Sequence, residues 1–232
     1  MSLVRRLAEA IDLSLLHPTL KRTDIERACK EAVDWGVASV CVSPCWVRLA
    51  SELIGECDVA VGTVVGFPLG SSETSVKAFE ARRAIQDGAT EIDMVMNIGF
   101  LKSGDLESLL DDMKAVVEAA QEACECMRGK RAIVKVILET GYLERDEVVK
   151  ACEVALRSDA DFVKTSTGFG PRGATIDDVK LMRSVVGDSM RVKAAGGIRA
   201  LRQAIEFLNA GADRLGTSHG IAILLEAQQS SL

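Results

Sequence analysis

Three lysines, Lys135, Lys164 and Lys193, close short apolar runs and stand 29 residues apart each time. An amine with an ordinary pKa near 10.4 is neutral about once in 2,500 molecules at pH 7. That is too seldom for a nucleophile. A second ammonium about 5 Å away, at an effective dielectric near 20, costs roughly 3.3 kcal/mol, or about 2.4 pKa units. Burial pushes the same way. Clustered lysines can therefore produce a neutral amine that attacks a carbonyl and forms a Schiff base. A single lysine at a strand end most often extends its ammonium to solvent; three at matched spacing ask for a chemical reason.

The spacing also names the scaffold. Divided by eight, the 232 residues again give 29, close to the roughly 25 to 35 residues of one strand, one helix and two short loops. Eight β-type runs alternate with helical patterns: Ile11 to Leu13, Ser39 to Val42, Val59 to Val65, Glu91 to Met96, Ala132 to Ile137, Asp161 to Lys164, Arg191 to Ala194 and Asp213 to Leu215. Thr23-Asp-Ile-Glu and Thr175-Ile-Asp-Asp read as capping boxes, and Leu106, Leu109, Leu110, Met113, Val116, Val117 and Ala120 form a helical stripe. Gly36, Gly88, Gly187 and Gly211 fall where helices should stop. An open doubly wound sheet shares this alternation, but eight units in this length favour closure. The expected fold is a single (β/α)8 TIM barrel over residues 1–232, with a short N-terminal helix.

Barrels place chemistry at the carboxyl ends of their strands. Asp12, Asp93, Lys135, Lys164, Lys193 and Ser218 are read at or just past such ends. Alternation sets Ile92, Met94 and Met96 on one face and Asp93 with Val95 on the other, so Asp93 should point into the lumen among the lysines. Small residues follow Lys164 in Lys164-Thr-Ser-Thr-Gly and leave room for a substrate. The last two strands end in Ala194-Ala-Gly-Gly-Ile-Arg and Leu215-Gly-Thr-Ser-His-Gly, where barrels hold phosphate on backbone N–H groups and a helix N-terminus. Neither GxGxxG nor GxxxxGK[ST] occurs, which removes the usual nucleotide motifs.

The formal charge of −6, without a basic run, argues against a nucleic-acid partner. No window is apolar enough to span a bilayer, and the start lacks an apolar signal core. A cytoplasmic protein is expected. Seven cysteines without a CxxC pair read as reduced thiols, and two histidines, His17 and His219, are too few for the usual metal site. Neither metal nor organic cofactor is expected.

On these residues the chain resembles the deoxyribose-phosphate aldolases, nearly end to end. The likeness is carried by Val64-Val-Gly-Phe-Pro-Leu-Gly, Val76-Lys-Ala-Phe-Glu-Ala, Glu91-Ile-Asp-Met-Val-Met-Asn-Ile-Gly, Leu101-Lys-Ser-Gly-Asp, Val134-Lys-Val-Ile-Leu-Glu-Thr, Phe162-Val-Lys-Thr-Ser-Thr-Gly-Phe-Gly and Val192-Lys-Ala-Ala-Gly-Gly-Ile-Arg. The resemblance implies cleavage of 2-deoxyribose 5-phosphate to glyceraldehyde 3-phosphate and acetaldehyde, with Lys164 as the Schiff-base lysine and Lys193 and Asp93 moving protons. It also implies a homodimer or higher homo-oligomer and no metal. Asp12, Lys135, Thr165, Gly168, Gly196, Gly197 and Ser218 are assigned to substrate binding, Asp12 and Lys135 as positioning and electrostatic partners.

Three departures stand out. Family members often read Ile-Asp-His-Thr-Leu-Leu-Lys-Pro where this chain has Ile11-Asp-Leu-Ser-Leu-Leu-His-Pro, so Leu13 and His17 alter that segment. Cys41-Val-Ser-Pro-Cys-Trp changes the turn at Ser43 and Cys45. Some members end in a tyrosine that reaches the site; here the tail ends Ser230-Ser-Leu and Tyr142 is the only tyrosine, so no proton transfer from a tail tyrosine is expected. Two rival functions share some of these features. A transaldolase or ketose-phosphate aldolase would use the same Schiff base on a larger donor, and a silent phosphosugar-binding barrel would need the glycines and Ser218 but not three inward lysines.

Overall fold

A computed structural model describes residues 2–127 and 131–230. Eight parallel strands close in sequence order: β1 (Ile11–Leu15), β2 (Ser39–Val42), β3 (Ala60–Val65), β4 (Glu91–Val95), β5 (Ile133–Ile137), β6 (Phe162–Lys164), β7 (Arg191–Ala195) and β8 (Arg214–Thr217). β1 pairs with both β2 and β8, which completes a (β/α)8 barrel. A short helix, Leu3–Ala8, precedes it. Every expected strand is present within two residues at each end. Ser231 and Leu232, the end of the tail considered above, lie outside the described residues.

Each strand alternates its side chains between two environments. The outward residues, Val40 and Val42 on β2 or Ile92 and Met94 on β4, are wholly buried against the helices. The helix Leu106–Cys126 returns the expected stripe, with Leu109, Met113 and Val116 fully buried and Leu106 half-buried against the core. Inside the barrel, the layers that usually hold branched apolar residues hold Asp12, Glu91, Asp93, Lys135, Lys164 and Lys193, all at most 2% exposed. Phe162 floors them: the Arg191 guanidinium lies 4.1 Å from its ring centre and the Lys135 ammonium 5.9 Å from it.

Register sets the three lysines at two different heights. Lys164 is level with Lys193, but the partner of Lys164 on β5 is Ile137, so Lys135 sits one inward layer deeper. Strands in a closed barrel are staggered, and equal sequence spacing does not give equal height. Nor do most of the site residues lie at strand ends. Lys164 is the last residue of β6 and Ser218 follows β8, whereas Asp12, Asp93, Lys135 and Lys193 lie within their strands.

The expected box at Thr23 is also displaced. The helix Arg22–Trp35 is capped at Lys21, whose N–H donates to Asp24 Oδ2 at 3.0 Å, because Asp24 rather than Glu26 occupies the third helical position. Thr175 does cap its helix, accepting from the Asp178 N–H at 3.0 Å. Beneath the barrel wall, Lys77 and Asp112 form a fully buried pair at 2.8 Å, and Lys77 also donates to the Val95 carbonyl at 3.0 Å. That ties the end of β4, and thus Asp93, to two helices.

Candidate active site

Asp93 organises the lumen. Its Oδ2 accepts from Lys164 Nζ at 2.8 Å and from Lys193 Nζ at 2.7 Å, while its Oδ1 accepts from Lys135 Nζ at 2.8 Å. Lys193 is also 2.6 Å from Asp12 Oδ2, and Lys135 is 2.5 Å from Glu91 Oε2. Below them Arg214 donates to Asp12 Oδ1 at 2.9 Å and to Glu91 Oε1 at 2.7 Å. Three carboxylates thus face four cationic side chains.

Full ionisation would leave one uncompensated positive charge in a buried place, a costly state relieved by releasing a proton. The cation with least carboxylate contact should release it. Lys193 and Arg214 each contact two carboxylates and Lys135 contacts three, counting Asp12 at 3.7 Å, whereas Lys164 contacts Asp93 alone. The electrostatics agree. Burial lowers the Lys164 pKa, and the Lys193 charge adds to the effect against the opposing pull of Asp93. Desolvation, not lysine repulsion, is the leading cause. Burial also works against the Lys193 ammonium, but Asp12 and Asp93 outweigh it and hold its pKa above normal. Lys135 is raised in the same manner by Asp93 and Glu91. Asp93, although desolvated, is held well below the usual carboxylate range by the three lysines. The nearby Cys41 thiol is pushed up to about 11 by burial and stays neutral.

A cavity of about 540 Å³ opens above this network at the carboxyl end of the barrel. Of the three lysines only Lys164 lines it, together with Gly168, Gly196, Gly197 and Ser218. Asp12, Asp93, Lys135 and Lys193 lie beneath and do not reach its surface. Thr165 is turned away: its hydroxyl donates to the Ala195 carbonyl at 3.1 Å and accepts from the Ala195 N–H at 3.0 Å, so it staples β6 to β7. Two larger hollows, about 970 and 780 Å³, open at the other end of the barrel and do not contact Lys164.

Two loops shape the cavity rim. A Cβ on Gly173 would lie 2.2 Å from the Gly196 carbonyl oxygen, so the loops after β6 and β7 meet backbone to backbone. Glu139, in a left-handed conformation with φ 54°, supports the first loop: its Oε2 accepts from the Thr167 N–H at 3.1 Å and from the Thr167 hydroxyl. The rim also carries His17, Arg27, Arg199 and His219. In the sequence His17 stands out as a departure and, with His219, as one of two histidines, and Arg199 as the end of a glycine motif. Arg27 comes from a helix face with no local signal. Ser43 and Cys45 do not contribute to the lining. Among the described residues no three His, Cys, Asp or Glu side chains gather in a way that could hold a metal ion.

A buried amine at the floor of an anion-sized cavity is what a Schiff-base aldolase needs, and comparison with known proteins decides the family. The model of the DeoC/LacD family aldolases matches residues 6–230. The chain belongs to that family. It is 50% identical to the deoxyribose-phosphate aldolase of Carboxydothermus hydrogenoformans, covering 94% of each chain, and 52% identical to that of Thermococcus kodakarensis, covering 95% of this chain and 96% of the other. The solved deoxyribose phosphate aldolase of Aeropyrum pernix, described as a tetramer, superposes with a TM-score of 0.88 at 32% identity, covering 99% of this chain and 93% of that one. Membership in an aldolase family accounts for a barrel interior filled with charge rather than with branched apolar side chains.

Proposed function

We propose that this chain reversibly cleaves 2-deoxy-D-ribose 5-phosphate to D-glyceraldehyde 3-phosphate and acetaldehyde, with Lys164 as the Schiff-base nucleophile. The observation that carries the assignment is the position of Lys164: the one lysine of the network that lines the cavity is also the one with least carboxylate contact. Its neutral amine adds to the C1 carbonyl of the open-chain sugar, and loss of water gives an iminium. The C3 hydroxyl gives up its proton and the C2–C3 bond breaks. Its electron pair forms the C1–C2 double bond of an enamine, and glyceraldehyde 3-phosphate departs. Protonation at C2 and hydrolysis then release acetaldehyde and regenerate the amine.

Asp93 and Lys193 serve the proton transfers from below. Lys193 is kept charged and Asp93 ionised, so the pair can pass a proton toward Lys164 through the shared oxygen Oδ2, and a water in the cavity completes the path to the C3 hydroxyl. Gly168, Gly196, Gly197 and Ser218 hold the phosphate, with Arg27 and Arg199 supplying charge at the rim. Held there, the phosphate fixes the reacting carbons over Lys164 with binding energy remote from the chemistry. Asp12 and Lys135 act through Lys193 and Asp93. The reaction belongs to the catabolism of deoxyribose phosphates in the cytoplasm, and the chain works as a homo-oligomer. No helix among the described residues is long and apolar enough to cross a membrane.

The test is reductive trapping. Incubation with acetaldehyde and borohydride should leave one ethyl group on Lys164, and cleavage of deoxyribose 5-phosphate should persist in EDTA. An ethyl group mapped to Lys193 or Lys135 would move the nucleophile. Activity that is lost in EDTA and restored by zinc or cobalt would replace the iminium mechanism.

A further inference from the structure

The charge balance that singles out Lys164 depends on a side chain far from the cavity. Arg214 opens β8 and is 12% exposed at the amino end of the barrel. It lines the lower hollow there with Arg5, Glu9, Asp34 and Asp58, and does not reach the cavity above. Its two terminal nitrogens divide between two carboxylates, NH1 to Asp12 at 2.9 Å and NH2 to Glu91 at 2.7 Å. Each carboxylate turns its other oxygen upward, Asp12 to Lys193 at 2.6 Å and Glu91 to Lys135 at 2.5 Å. Both upper lysines then meet at Asp93, which is the sole carboxylate on Lys164. The planar fork offers a separate nitrogen to each carboxylate, and its charge stays fixed.

We propose that Arg214 is a positioning residue for the aldol reaction, the fourth cation whose bridge across Asp12 and Glu91 makes Lys164 the neutral member of the network. Without it the lumen would hold three lysines against three carboxylates, and Lys164 would keep its proton as the partner of Asp93. The groups that face this equilibrium are Asp12 on β1, Cys41 on β2, Glu91 and Asp93 on β4, Lys135 on β5, Lys193 on β7 and Arg214 itself on β8, with His17, Arg27, Arg199 and His219 around the cavity above. Cys41 is a neutral thiol, and the rim residues remain unchanged in the variants below. The inference rests on Lys164 being the Schiff-base lysine.

The experiment follows the rate of borohydride trapping of acetaldehyde on Lys164 against pH. A unit charge removed at a separation on the order of 10 Å, at an effective dielectric near 20, moves a pKa by about one unit. Arg214→Met should therefore shift the acid limb of the trapping profile up by about one pH unit, with about tenfold slower trapping on that limb. Adding Glu91→Gln removes one anion and restores the surplus, so the double variant should move back toward the wild-type profile. Glu91→Gln alone should shift the limb to lower pH, and it keeps the proposal testable if Arg214→Met does not fold. An unmoved limb in folded Arg214→Met, a limb that Glu91→Gln fails to bring back, or a raised limb in Glu91→Gln alone each overturns the proposal. Failure of the wild-type protein to label at Lys164 would instead overturn the assignment of the nucleophile, so the two failures are distinguishable.

Discussion

Replacing Asp93 with asparagine should separate imine formation from turnover. In the native lumen Asp93 accepts from three lysine Nζ atoms at 2.7 to 2.8 Å and is fully buried. The carboxylate opposes the loss of a proton from Lys164. At 2.8 Å from the Lys164 amine it is the nearest opposite charge, and it pulls toward keeping the proton, against burial and the Lys193 charge. Removing it lowers the Lys164 pKa further, so the amine is neutral over a wider range and should still trap acetaldehyde, with its acid limb moved to lower pH. Cleavage should nevertheless fall by about 10² to 10⁴, the usual contribution of a positioned proton carrier. The amide cannot accept the proton that the C3 hydroxyl must lose.

The variant should also be less stable, by about 3 to 5 kcal/mol, since the buried Lys135 and Lys193 ammonium groups lose their common partner. Urea unfolding measures that cost, and the kinetic comparison belongs below the transition. Trapping by mass spectrometry and cleavage by coupled oxidation of glyceraldehyde 3-phosphate supply the two rates from one preparation. If trapping and cleavage decline together, Asp93 is needed to build the nucleophile and not to move protons. If cleavage is retained, the proton path runs elsewhere.

The remaining predictions concern the phosphate end and acid stability. Ser218→Glu places a carboxylate beside the expected dianion; it should raise KM sharply for deoxyribose 5-phosphate and much less for unphosphorylated deoxyribose, and equal losses on both sugars would place the phosphate elsewhere. Gly173→Ala puts a methyl 2.2 Å from the Gly196 carbonyl oxygen and must part the two rim loops by about 1 Å, a displacement that can cost about 100-fold; a KM for the phosphorylated sugar within twofold of wild type would show that this loop contact does not position the anion. Asp12 and Asp93 have folded pKa values below the ordinary 3.8, so the stability they confer is fully present above that pH and is lost as pH falls through their folded values. The stability gap between wild type and Asp12→Asn should therefore stay constant from pH 7 to about 4 and narrow only below it, and a gap that closed between pH 7 and 5 would contradict the ion pairing seen here.

What the sequence revealed and what it concealed divide along a physical line. Period-two alternation on β4 put Asp93 in the lumen, and the 29-residue repeat placed three lysines on successive strands, because both depend on local geometry and chain length. The same alternation, carried two residues earlier to Glu91 and applied to Arg214 on β8, would have found the lower carboxylate and the fourth cation. Both residues open their strands, away from the carboxyl ends where barrels place their chemistry. Barrel stagger is a different matter. It is set by pairing around the whole ring, so nothing local in β5 says that Lys135 lies a layer below Lys164. Nor does a repeat of three lysines say which one is neutral. The assignment proposed above rests on how carboxylate oxygens are shared among β1, β4, β5, β7 and β8: Lys164 has the fewest of them and is the one lysine of the three that opens on the cavity. If the proposed nucleophile is chosen by this balance of charges, it is sensitive to residues that never approach the substrate, and under the role proposed for Arg214 the amino end of the barrel, usually assigned to stability, would take part in setting the chemistry at the other end.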